Sequence, residues 1–269
     1  MRMVVHLSDL HFGRIDPALL GPLVDRVWMA KPDLVVISGD LTQRARTSQF
    51  EEAARFLARL PAPRIVVPGN HDVPLYDVFH RFVSPLKHYR RFISEDLEPF
   101  HADDEIAVAG INTARSLAFK RGRINEAQLE RLRSRFQHVG EGVTRIVVTH
   151  HPFDLPPQLD ERDIVGRSGL AMQVFADCGT DLLLSGHVHV GQSGSTARRY
   201  RIEGYSAVVT QAGTATSTRG RGQSNSFNVI EVGPGLITVR QLTWDAVRAS
   251  FEEAQADRFR KSGEEWLPA

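Results

Sequence analysis

A chain of 269 residues, 42% hydrophobic and 24% charged, can bury a full core, and it reads as one domain over 1–269. Its formal net charge of +1 supplies no broad field for long nucleic acid or an anionic membrane. The single cysteine excludes an intramolecular disulfide and no uninterrupted apolar run is long enough to cross a bilayer, so a cytoplasmic protein without a membrane partner is expected.

In chain order, residues 3–7 are a short apolar strand that delivers Asp9 and His11 just past its end. Asp16 caps a helix with Pro17 at its first position, and Leu19, Leu20, Leu23, Val24, Val27 and Trp28 recur at helical spacing. Residues 34–37 are continuously apolar, as in a strand buried on both faces, and end in Ser38, Gly39 and Asp40. Ser48 with Glu51 predicts a capping box for a helix bearing Phe50, Ala53, Ala54, Leu57 and Leu60. Residues 65–67 then run into Gly69, Asn70, His71 and Asp72. There a glycine turn presents an amide, an imidazole and a carboxylate side by side.

Over 74–100 the aromatics Tyr76, Phe79, Phe82, Tyr89 and Phe92 arrive with prolines and basic residues. The pattern predicts a helical insertion near the site mouth, its aromatics forming a local core or packing against a base. A strand at 106–111 precedes a helix opened by Asn125 and Gln128, and a strand at 145–149 ends in His150 and His151. Residues 153–168 predict a loop bordering a cleft, and 170–178 a helix holding Cys178 as an inert thiol. Residues 182–185 lead into Gly186, His187, Val188 and His189.

Runs at 200–202, 207–211, 227–232 and 237–244 predict a second sheet. The intervening loop 214–226 is rich in Gly, Ser, Thr and Arg and predicts mobility, with Arg219 and Arg221 able to meet a phosphate. Together with Arg198, Arg199 and Arg201 these form either an anion-attracting patch or a solvated rim. After Asp245, Val247, Phe251 and Phe259 fit neither the helical nor the strand period. His80, His88, His101 and His138 fall outside any convergent pattern and read as surface or structural.

Side chains on successive strand ends converge at one edge of a sheet. Asp9, His11, Asp40, Asn70, His150, His187 and His189 are carboxylate, amide and imidazole without thiolate, a donor set suited to manganese, iron, zinc or cobalt. Seven donors exceed the needs of one ion. If one carboxylate bridges, two ions result with open positions, the arrangement that promotes in-line displacement at phosphorus.

The ordered set Asp9-x-His11, Gly39-Asp40, Gly69-Asn70-His71-Asp72, Thr149-His150-His151 and Gly186-His187-x-His189 resembles the calcineurin-like metallophosphoesterase superfamily over residues 4–190. The resemblance implies an α/β fold, a four-layer αββα sandwich of two packed mixed β-sheets flanked by helices, with a dinuclear metal site at the strand ends. It implies that Asp9, His11 and His189 hold one ion, that Asn70, His150 and His187 hold the other, and that Asp40 bridges. His71 would contact phosphate and protonate the leaving oxygen, with Asn70 also on the substrate side.

The opening Ser-Asp-Leu-His is more similar to bacterial class III cyclic nucleotide phosphodiesterases and glycerophosphodiesterases than to protein Ser/Thr phosphatases. In those phosphatases an aspartate three residues beyond the bridge pairs with the acid histidine; here Gln43 stands there, leaving Asp72 as the candidate partner of His71. The expected activity is hydrolysis of a small phosphodiester, a cyclic nucleotide such as cAMP favoured, by a metal-bridging hydroxide. Alternatives are a glycerophosphodiester, a nucleic acid end, a lipid head group, or a protein-binding scaffold of the same fold that has lost its ligands. A full ligand set argues against the scaffold. Oligomeric state stays open, a homodimer among the options.

Overall fold

Strand β1 (Arg2–Leu7) turns Val4 to one face and Val5 and Leu7 to the other, and all three are fully buried. A strand apolar on both faces needs a layer on each side, and here those layers are a second sheet and a pair of helices. The fold is seen in a computed structural model that describes all residues except 76, 77, 117–119, 157, 158, 220 and 221 and the side chains of 78–80. Tyr76, Phe79, His80 and Arg221, singled out above, therefore lie outside the described residues or side chains.

β1, β2 (Leu34–Ile37) and β3 (Arg64–Val66) pair in parallel, joined through α1 (Leu20–Met29) and α2 (Thr47–Leu57). Two short helices, α3 (Val78–Val83) and α4 (Lys87–Phe92), precede the edge strand β4 (Phe100–Ala102). Next come β5 (Ile106–Gly110), α5 (Glu126–Phe136), β6 (Thr144–Val148), α6 (Ser168–Asp177) and β7 (Leu182–Ser185), the three strands again parallel. With β8 (Gln192–Ser195) and β9 (Val208–Gln211) they complete a sheet in the order β4-β5-β6-β7-β9-β8. The chain then returns to the first sheet. β10 (Ser226–Gly233) lies antiparallel to β1, followed by β11 (Leu236–Asp245), β12 (Ser250–Ser262) and β13 (Glu265–Pro268), in the order β13-β12-β11-β10-β1-β2-β3.

Val4, Val36, Val108, Ile146, Val148, Leu182, Leu184 and Ile230 fill the space between the sheets. Leu23, Val27, Phe50, Ala53 and Phe56 of α1 and α2 cover the outer face of the first, and Leu129, Leu132, Met172 and Phe175 of α5 and α6 that of the second. Helix, sheet, sheet, helix is the four-layer order expected. Among the described residues no helix is long and apolar enough to cross a membrane.

Several local expectations are corrected. The late strands do not form a sheet of their own: β9 joins β7, while β10 and β11 extend from β1. Residues 200–202 make only an isolated bridge, and β8 takes the edge instead. Helix α2 starts before Ser48, and the side chain that receives main-chain N–H groups at its start is Gln49, from Arg44 at 2.9 Å and Arg46 at 3.5 Å. The stretch after Asp245 is the β12–β13 hairpin. Register slips between Gln241↔Gln255 and Leu242↔Glu253, so the bulged Ala254 inverts the alternation. Phe251 thereby faces the helices and Phe259 the inter-sheet core, although even spacing would put them on one face.

His88 stacks beside Phe50 and Phe92, and the His138 ring bonds the Ser134 carbonyl, structural roles as expected. The Cys178 thiol is half-buried, and burial pushes its pKa up.

Candidate metal centre

All seven donors read from the sequence meet at the strand ends. Nine non-glycine described residues have positive φ, and five of them are Asp9, His11, Asp40, His187 and His189. Such concentrated backbone strain marks a place where the surrounding fold over-determines geometry. The loops that carry these residues interlock closely. A Cβ on Gly69 would lie 2.2 Å from Asp40 Oδ1, and one on Gly186 would lie 1.8 Å from Ser8 Oγ.

Asp9, His11 and His189 form one group. Asp9 Oδ1 lies 3.1 Å from His189 Nε2 and 3.4 Å from His11 Nε2, and the two imidazole nitrogens are 3.2 Å apart. Asp9 Oδ2 is occupied by Ser8 Oγ and the His187 N–H, whereas Oδ1 is buried with no hydrogen-bond partner. The His189 ring donates Nδ1–H to the Arg219 carbonyl at 3.2 Å, which leaves Nε2 as its donor atom.

The second group is His150, Asn70 and His187. His150 gives Nδ1–H to the Ser38 carbonyl at 2.8 Å and turns Nε2 to Asn70 Oδ1 at 3.1 Å. His187 packs edge-on to the His150 ring at 5.1 Å, and its Nε2 lies 3.7 Å from Asp163 Oδ1. Asp40 stands between the groups, Oδ1 3.4 Å from His150 Nε2 and Oδ2 3.7 Å from His11 Nε2.

Electrostatics tests whether cations suit these residues. Burial alone would raise the Asp9 and Asp40 carboxyls, yet His189 and His11 beside Asp9, and His150 and His71 beside Asp40, hold both well below the usual carboxylate range. Burial likewise opposes charge on His150, but Asp40 pulls its pKa up to about 9. The proton this puts on Nε2 sits between Asp40 Oδ1 and Asn70 Oδ1, where a metal ion would replace it. The orphaned Asp9 Oδ1, facing two imidazole nitrogens, asks for the same on the other side. The donor set fits two cations.

His151, adjacent in sequence, is no donor as it stands: Nδ1 takes the Thr113 hydroxyl at 2.8 Å and Nε2 gives its proton to the Lys120 carbonyl at 2.9 Å. Buried His6, which the sequence pattern did not flag, pairs with Ser38 Oγ at 2.9 Å, and burial pulls its pKa down to about 3.

Asp72 does not orient His71. Its carboxylate accepts from the N–H groups of Leu41, Thr42 and Gly69 and from Thr42 Oγ1, tying the Asp40 loop to the Asn70 loop. Burial and the nearby Asp40 charge push its pKa up to about 7. The His71 ring is held from the main chain, Nδ1–H donating to the Gln43 carbonyl at 3.0 Å, while Nε2 accepts from Arg219 Nη1 at 3.0 Å. Its pKa is lowered by burial, against the pull of Asp40. No side-chain identity at position 43 could have announced that bond.

The first part of the loop expected to be mobile is fastened down, while its residues 220 and 221 lie outside the described residues. Thr214 Oγ1 and Thr216 Oγ1 bond the carbonyls of Asp9 and Leu10 at 2.8 and 2.7 Å, and residues 212–217 are buried. The basic patch also dissolves: Arg199 is paired with Asp154 and Glu161, and only Arg219 among the described members reaches the centre.

The sequence matches the calcineurin-like phosphoesterases over residues 3–191. It is 27% identical over 201 residues to the cAMP phosphodiesterase CpdA of Escherichia coli, covering 69% of each chain. It is 28% identical over 215 residues to a probable cyclic nucleotide phosphodiesterase of Rhodopseudomonas palustris, covering 72% of this chain and 73% of that one. The glycerophosphodiester phosphodiesterase GpdQ of Enterobacter lignolyticus is 26% identical over 165 residues, 57% of this chain and 58% of its own. Among solved structures, a dimetal phosphatase from Danio rerio superposes with TM-score 0.64 at 13% identity over 94% of this chain and 98% of that chain. A purple acid phosphatase from yellow lupin does so with TM-score 0.70 at 11% identity over 96% of this chain; the match spans 53% of the lupin enzyme. These two likenesses are likenesses of fold.

Proposed function

Because the chain belongs to the calcineurin-like phosphoesterases, we propose that it is a dinuclear-metal phosphodiesterase, with Asp9, His11 and His189 for one ion, Asn70, His150 and His187 for the other, and Asp40 shared. The reading takes 1–269 as a single domain with the helical segment 74–100 at the site mouth. The observation that carries it is the Asp40 carboxylate, one oxygen turned to each donor group at 3.4 and 3.7 Å.

When bound, the cation pair supplies Lewis-acid neutralisation of the phosphoryl oxygens and lowers the pKa of water. The protein's share is preorganisation. The Ser38 and Arg219 carbonyls fix the His150 and His189 tautomers, and the interlocked glycine turns leave the carboxylates nowhere to relax. Hydrolysis bonds a water oxygen to phosphorus as the bond to the departing alcohol breaks. On this reading His71, once Arg219 has left Nε2 and that nitrogen has taken a proton from the attacking water or solvent, passes the proton to the departing oxygen. Nδ1 cannot serve, since it is committed to Gln43. On the same reading Asn70 also takes part in substrate binding.

For substrate the reading favours a small diester, a cyclic nucleotide such as cAMP, on the strength of the two cyclic nucleotide phosphodiesterase relatives. The test assays metal-loaded protein on bis(nitrophenyl) phosphate, cyclic nucleotides and glycerophosphodiesters. The highest kcat/KM on a cyclic nucleotide is expected, a preference for glycerophosphodiesters would move the substrate, and inert protein holding two ions would refute the enzyme. His71→Ala sharpens the test. It should cost on the order of a hundredfold on the cyclic nucleotide, whose alkoxide needs a proton, and little on the nitrophenyl diester. Equal losses would remove the acid role.

A further inference from the structure

Among the described residues, Arg219 is a strong charge at the centre that the hydrolytic reading leaves without a task. Its Nη1 donates to His71 Nε2 at 3.0 Å, its carbonyl accepts from His189 at 3.2 Å, and its N–H is bonded to Ser217 Oγ at 3.1 Å. The loop beneath it is fixed to the β1 site loop by the Ala215 N–H to Ser8 O at 3.1 Å and the Thr218 N–H to Arg14 O at 3.1 Å. Asn225 closes the loop on itself through the Thr214 and Ser217 carbonyls at 3.2 and 2.9 Å. A mobile surface arginine would need none of this.

The half-buried guanidinium forms no ion pair with a carboxylate among the described residues; its one side-chain bond is to the lone pair of a neutral ring. Asp40 and Asp9 attract it through space, but both are already turned toward the positions of the two cations. Arg14, from the loop after β1, and Arg44, from the loop after β2, are near enough to repel it. Arginines from two other loops thus lie within electrostatic reach of Arg219, which is bonded to His71 and half-buried with no carboxylate bonded to it among the described residues, a position an arriving anion would suit. Guanidinium binds phosphate through paired, charge-assisted hydrogen bonds, each stronger than its bond to an imidazole nitrogen.

We propose that Arg219 is the phosphate clamp of this site, exchanging His71 Nε2 for a non-bridging oxygen of the scissile phosphate. The same movement frees the His71 Nε2 lone pair to take up a proton, as the acid role proposed for it requires. The ligand class is a phosphate group approached from two sides, by cations on one and by guanidinium on the other. The clamp deepens the phosphodiesterase reading and rests on it for the identity of the phosphate.

The experiment measures binding of inorganic phosphate to metal-loaded wild type, Arg219→Ala and Arg219→Lys by calorimetry, with metal content, kcat and KM on bis(nitrophenyl) phosphate. Arg219→Ala should weaken phosphate about tenfold to a hundredfold, the range for a lost hydrogen bond to a charged group. Metal content should stay at the wild-type level, because the tie to His189 is a backbone carbonyl that the substitution keeps. Arg219→Lys should recover only part of the loss, because an ammonium lacks the fork, and it serves as the test should Arg219→Ala fail to fold. Phosphate binding equal to wild type, or a variant that has lost its metal, would overturn the clamp. Wild type that binds phosphate through Arg219 yet hydrolyses no diester would sink the phosphodiesterase reading and leave the clamp standing.

Discussion

Asp9, His11 and His189 are 0%, 0% and 5% exposed, and Asp9 brings to them a carboxylate oxygen with no other partner. Asn70, His150 and His187 meet at the same strand ends, yet Asn70 is partly open to solvent and offers only a neutral amide. The acid beside the His187 ring is Asp163, at 3.7 Å from Nε2, from a single-turn helix in the loop before α6. The contrast teaches where the binding strength lies. One group has a carboxylate among its own donors, whereas the other draws its negative potential from the shared Asp40 and from Asp163 beside His187, so the two ions should differ in how tightly they are held.

The most severe way to break this asymmetry is Asp40→Ala. It removes the carboxylate common to both groups and should lower kcat by more than the ~10²–10³ that the loss of one electrostatic contact costs. Metal content should fall below that of His189→Ala, which strips a single group. Equal occupancy in the two variants would show that Asp40 serves one ion only.

A gentler change should narrow the asymmetry. Asn70→Asp gives the second group a carboxylate of its own, and calorimetric titration should show the weaker site tightening by about tenfold while the stronger stays put. Two sites of equal affinity in wild type would contradict the comparison at its root.

The donors were legible because each one follows a short apolar strand within a few residues, so a linear pattern already encodes convergence. The four layers were legible through the resemblance and through strands such as Leu34–Ile37, apolar on both faces. Three things were not. The hairpin after Asp245 was hidden because a bulge at Ala254 reverses the alternation on which a strand is recognised. Residues 214–217, the start of the 214–226 loop, looked mobile by composition, but the hydroxyls of Thr214 and Thr216 fasten them, and composition does not say whether a hydroxyl faces water or a carbonyl. The partner of His71 is a main-chain oxygen, which any residue at position 43 could supply.

The central claim is that Asp40 spans two ions, and magnetic resonance of protein loaded with saturating manganese tests it most directly. Two Mn(II) per chain with exchange coupling, seen as loss of the hyperfine pattern of an isolated ion, is the predicted result. One ion per chain, or two that remain magnetically independent, would contradict the account.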